Sequence, residues 1–139
     1  MDRDKPCKER IAGELKDTMQ TLSRLWELWK KDPEASDPDY GNWNEYGLGF
    51  DYVAPGTFNG QRRGYFRYQI CWGGPSEEFR FFCDEGFRLV RVEYWFLDWF
   101  DGAKKILSGK NLEILTEIWE DFEGCGSVQN AYNEATQEA

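Results

Sequence analysis

The chain contains no histidine. The side chain most often used for proton transfer near neutral pH is therefore missing. The Ser-His-Asp and Cys-His arrangements and all imidazole metal sites go with it. Catalysis by carboxylates, lysine or tyrosine remains open. Paired cysteines are lacking too: Cys7, Cys71, Cys83 and Cys125 are scattered, with no CxxC. Neither a chelating set nor a disulfide framework is indicated, so four free thiols, no metal and no cofactor are expected. No apolar run approaches the roughly 18 residues of a membrane-spanning helix. The opening MDRDKPCKER is charged and lacks the apolar core of a secretory signal. A cytoplasmic chain without membrane contact is the expectation.

Large aromatic side chains are abundant. They make up 17% of the 139 residues, with 7 Trp, 7 Tyr and 10 Phe. Each ring can bury about 150–250 Å², so a few large pieces can build a core despite a mean hydropathy of −0.76. The length suits one domain, 1–139.

Apolar spacing sets the elements. Ile11, Leu15, Met19, Leu22, Leu25, Trp26 and Trp29 form one stripe, which predicts a long helix over 4–31 with Asp4 as N-cap and Pro6 in the first turn. Pro33 stops it. Residues 32–47 read as a loop long enough to carry function. The period then changes to two. Leu48, Phe50 and Tyr52 share a face, as do Phe66, Tyr68, Ile70 and Trp72, then Phe79 and Phe81, then Val90, Val92, Tyr94 and Phe96. Turn-forming stretches separate these runs, which predicts a four-stranded antiparallel meander. DGAKKILSG (101–109) reads as a short helix capped by Asp98 or Asp101 and closed by Gly109. Residues 111–123 read as a helix with Leu112, Leu115, Ile118, Trp119 and Phe122 on one side, and Ser127 as the cap of a last one through Ala135. The fold class is α+β: a long N-terminal helix and C-terminal helices packed on a four-stranded antiparallel sheet.

The stretch EYWFLDWFDG (93–102) is mostly core. Tyr94 and Phe96 face the helices, and Trp99 and Phe100 plug the end of the core. Trp95 falls on the opposite strand parity, beside Arg91 and Glu93, where it becomes a candidate contact residue.

GAKKILSGKN (102–111) has six residues between its glycines and Asn after Lys, so it is not a phosphate loop. FNGQRRGYFRYQ interleaves rings with Arg62, Arg63 and Arg67, as base-stacking sheets do. A net charge of −9 argues against direct nucleic-acid binding, which phosphate contacts dominate. The competing reading is a solvated hairpin with cross-strand Arg–Glu pairs, for instance to Glu78 or Glu93.

Charge is also segregated along the chain. Residues 32–61 hold six acids and no base, and 111–139 hold seven acids and no base. Asp37, Asp39, Glu45, Glu113, Glu117, Glu120, Asp121 and Glu123, with Trp95, are the candidate partner-binding residues. They would steer a basic, nucleic-acid-binding protein. An ordinary solvated helix face is the competing reading.

WGGPSEEFRFF (72–82) followed by VEYWFLDWFDGAKKIL (92–107) resembles a block in small acidic proteins carried by bacterial phages and plasmids. The resemblance contains no catalytic motif and carries over no site residues. It implies a setting in which such proteins inhibit host defence, as antirestriction and anti-CRISPR proteins do. The expected function is thus a non-enzymatic acidic binding protein, an inhibitor of a basic nucleic-acid-binding defence protein. The alternative is a small-ligand or enzymatic module with an aromatic pocket between sheet and helices, lined by Trp72, Trp95 and Tyr68. Nothing in the sequence specifies an oligomeric state.

Overall fold

The computed structural model describes residues 5–71, 75–98 and 100–137. The architecture is α+β. Helix α1 (Cys7–Lys31) is followed by the one-turn α2 (Trp43–Tyr46), then strands β1 (Gly49–Val53), β2 (Tyr65–Cys71), β3 (Ser76–Cys83), β4 (Leu89–Asp98) and β5 (Asp101–Ile106), then α3 (Gly109–Gly124) and α4 (Ser127–Thr136). The strands form one antiparallel sheet in chain order. Among the described residues no helix is long and apolar enough to cross a membrane.

The expected stripe of α1 is the buried one: Ile11, Leu15, Met19, Leu22, Leu25 and Trp26 lie against the sheet side of the helix. Trp29 is half-buried and stacks on Trp26 at 5.4 Å between centroids. The helix begins at Cys7, and the proposed Asp4 cap lies outside the described residues. On α3, Ile114, Leu115, Ile118 and Trp119 are buried, while Leu112 and Phe122 pack at the margin. Trp119 is the largest fully buried side chain. Its indole N–H donates to the Phe87 carbonyl at 3.0 Å, so its one polar atom is satisfied. Phe66, Phe79, Phe81, Val92, Tyr94 and Phe96 supply the sheet's half of this core. Phe100, expected as a core plug, is fully exposed; Trp99 lies outside the described residues.

Five strands replace the four expected, because 101–106 is not helical. This segment pairs with β4 from Asp98–Asp101 to Glu93–Ile106. A short helix is marginal in water without an apolar face to bury, and here only Ala103 is even half-buried. Pairing satisfies the backbone of the otherwise bare edge of β4. The two aspartates read as caps of that helix serve α1 instead. Asp101 accepts the Cys7 N–H at 2.7 Å, and Asp98 pairs with Arg10 at 2.6 Å. Gly109 is the first residue of α3, not a helix end, and Gly126 (φ 91°) rather than Ser127 occupies the cap position of α4.

Two apolar residues depart from their expected burial. Leu48 precedes β1 and is exposed. Val90 is exposed because the β3–β4 register steps from Phe82–Arg91 to Cys83–Leu89 and leaves it without an opposite residue. The loop 32–47 is built rather than loose. Asn42 and Glu45 form a reciprocal capping box on α2, which drives Trp43 into the core against Trp26 and Tyr68.

Candidate functional site

All helices pack on one face of the sheet. Strand alternation therefore places a second set of side chains on the opposite face. From the registers, Arg67, Arg80 and Glu93 lie in one row across β2, β3 and β4, and Glu78, Trp95 and Lys104 in the next across β3, β4 and β5. At one end of this face Val53, Tyr65 and Phe82 make a small separate core. The 54–64 loop folds beside it. Gln61 braces the loop by accepting the Phe58 N–H at 3.0 Å and donating to the Arg63 carbonyl at 2.7 Å.

Between loop and sheet lies a concavity of about 480 Å³, lined among others by Phe58, Arg62, Arg63, Tyr65, Arg80, Phe82, Arg91, Glu93, Trp95 and Lys104. Five of its lining side chains are cations and one is a carboxylate. Four of the five cations lie on rings. The Arg80 guanidinium sits 3.7 Å from the Trp95 ring centroid and 4.5 Å from that of Tyr65. Arg91 and Arg63 lie over Phe82 at 4.6 and 5.8 Å, and Lys104 over Trp95 at 5.6 Å. Cation–π contacts of this kind are worth about 0.5–2 kcal/mol each, depending on desolvation.

Two buried carboxylates hold these groups in place. Glu78, 3% exposed, accepts from Arg80 Nε at 2.7 Å. Glu93, 1% exposed, accepts the Trp95 indole N–H at 2.9 Å, with Arg91 Nε 3.0 Å and Lys104 Nζ 3.7 Å from its other oxygen. A buried charge is tolerated only when compensated, and these carboxylates are compensated by the cations they fix. The Tyr65 hydroxyl is buried with no hydrogen-bond partner, and burial raises its pKa above the ordinary tyrosine value. Arg62 and Arg63 have no carboxylate partner among the described residues.

The cross-strand pairs expected of Arg62, Arg63 or Arg67 with Glu78 or Glu93 do not form: Glu78 and Glu93 pair with Arg80 and Arg91, each two residues away on its own strand. Arg67 instead forms a two-point pair with Asp51, at 3.0 and 2.7 Å. Trp95 is on the face expected, yet it is half-buried beneath Arg80 rather than fully exposed.

The acidic residues are not gathered into one surface. Asp37 accepts the Asp39 and Tyr40 N–H groups and pairs with Arg24 at 3.2 Å; its pKa is lowered, first by the Asp39 N–H. Glu45 is occupied by the capping box. Glu117 accepts from Trp26 Nε1 at 2.9 Å and Lys30 at 2.7 Å. Asp121 is half-buried, and that burial raises its pKa. Asp39, Glu113, Glu120 and Glu123 are exposed. Helix α1 brings Arg24 and Lys30 to the acidic segments, so charge segregated in sequence is mixed in space.

The pocket expected from Trp72, Trp95 and Tyr68 does not form. Tyr68 faces the helices, 5.4 Å from Phe122, and Trp95 faces away; Trp72 lies outside the described residues. A smaller aromatic concavity of about 270 Å³ does lie between sheet and α4, lined by Tyr52, Phe66, Cys83, Phe87 and Tyr132 among others.

Arg80, Arg91 and Lys104 were missed as site residues. Strand parity could have found the first two, since it puts them with Arg67 and Trp95. Lys104 could not be found while 101–109 read as helix. Comparison with protein-family models, with curated proteins and with solved structures found no match.

Proposed function

We propose that this chain is a binding protein whose working surface is the concave open face of the sheet, and that its ligand is an anion. One observation carries the reading. A chain with a net charge of −9 lines its open-face concavity with five cations against a single carboxylate, and backs them with rings and buried acids. Preorganised cations lose little freedom when an anion arrives. Titration with inorganic pyrophosphate, followed by calorimetry and by tryptophan emission, tests it. Binding should saturate and weaken with salt. Arg62→Glu together with Arg63→Glu should weaken it at least about tenfold, in the range that charged contacts command, while the melting temperature holds. No saturable binding to any anion would sink the reading.

A second reading rests on Glu113, Glu120 and Glu123. These residues are exposed on α3 and have no ion pair among the described residues. They support the acidic binding protein, which meets a basic nucleic-acid-binding partner and inhibits it in the phage or plasmid setting suggested by residues 72–82 and 92–107.

A further inference from the structure

Resting on the anion-binding reading above, we propose that the concavity takes a single nucleoside phosphate. Its volume, about 480 Å³, falls within the roughly 300–1,000 Å³ of small-molecule sites. Its chemistry comes in two parts. Arg62 and Arg63, without carboxylate partners among the described residues, and Arg91 and Lys104, held by Glu93, present positive charge to a phosphate. Phe58, 49% exposed, lines the same concavity, as does Trp95, whose ring centroid lies 3.7 Å from the Arg80 guanidinium. Rings and guanidinium planes are the surfaces on which nucleobases stack.

A bare phosphate would satisfy the cations and leave the rest unused. The exposed Phe58 side chain would stay in water. A nucleoside adds what Phe58 lacks, a flat face to stack on it. A long polyanion fits poorly. Beyond this face the chain is strongly acidic, and affinity for a nucleic-acid strand grows with the number of phosphates neutralised. Five lining cations, offset by Glu93 in the lining and by the Glu78 that holds Arg80, match one or two phosphates.

The test divides the ligand. ADP, GDP and UDP are titrated against the full chain beside inorganic pyrophosphate, adenosine and a short single-stranded oligonucleotide, by calorimetry and tryptophan emission. At least one diphosphate should bind about tenfold or more tighter than pyrophosphate, the gain that one stacked base supplies. Phe58→Ala should remove that gain and leave pyrophosphate affinity unchanged. Pyrophosphate binding as tightly as every diphosphate overturns this inference and leaves the anion-binding face standing. So does an oligonucleotide that binds tighter than any diphosphate with a steeper salt dependence. If neither pyrophosphate nor nucleotide binds, both readings fall.

Discussion

Glu117 shows how one residue changes meaning between sequence and fold. On an isolated helix it is a solvated acid. In the structure Lys30 and the Trp26 indole hold its pKa below the ordinary value of 4.5, Lys30 being the larger cause. A carboxyl with a depressed folded-state pKa stabilises the fold above its unfolded value, and that contribution is lost as pH falls through the folded value. Glu117→Gln should therefore flatten the loss of stability below about pH 4.5. At neutral pH it should cost less than about 1 kcal/mol, because the side chain is 47% exposed and water screens the pair. Urea unfolding on both sides of that pH measures it. The thiols give a second check at this scale. All four are free; Cys7 is buried, Cys71 and Cys83 are half-buried, and Cys125 is exposed. Burial pushes Cys71 and Cys83 up to about 11 and raises Cys7 as well. A thiol reagent should modify Cys125 quickly in the native protein and the others slowly, with all four reacting in denaturant. Two fast native thiols would contradict the burial seen.

Among the elements, the turn from α2 into β1 runs close against β2. A Cβ on Gly47 would meet the Tyr68 ring. Tyr68 is 6% exposed and packed between Trp43 and Phe122, so it cannot swing away. Gly47→Ala should destabilise the fold by about 1–3 kcal/mol, the usual range for overpacking, read as a lower urea midpoint with an unchanged slope. Gly49→Ala is the control, because nothing lies within 4 Å of its added Cβ. The fifth strand belongs to this scale as well. Its exposed pattern has no apolar face to announce it, and the unpaired edge of β4 recruits it.

At the scale of the whole molecule, two surfaces compete for the functional role. The helical side carries exposed acids interleaved with the cations of α1, while the open sheet face concentrates cations on rings. Replacing Glu113, Glu120 and Glu123 by Lys should change stability little, about 0.5 kcal/mol per surface site, and should leave pyrophosphate binding intact. Capture of a basic protein from the native cell that survives this reversal, but fails with Arg62→Glu and Arg63→Glu, would remove the acidic-helix reading. The opposite pattern would establish it.

Periodicity alone determined much of this protein. The burial of α1 and α3, the α+β class, four of the five strands and the parity that sets Trp95 apart from Tyr94 and Phe96 follow from which residues must leave water. Those are local consequences of spacing. Pairings between distant segments were decided only by tertiary structure. Asp101 reaches Cys7 and Glu117 reaches Lys30 across the fold, so an acid expected to cap a neighbouring helix and one expected on the surface both tie α1 to distant segments. The concavity draws Arg62 and Arg63 from a loop, Arg80 and Arg91 from β3 and β4, and Lys104 from β5. No stretch of chain contains that set, because sheet register, not sequence neighbourhood, brings side chains from successive strands within reach of one another.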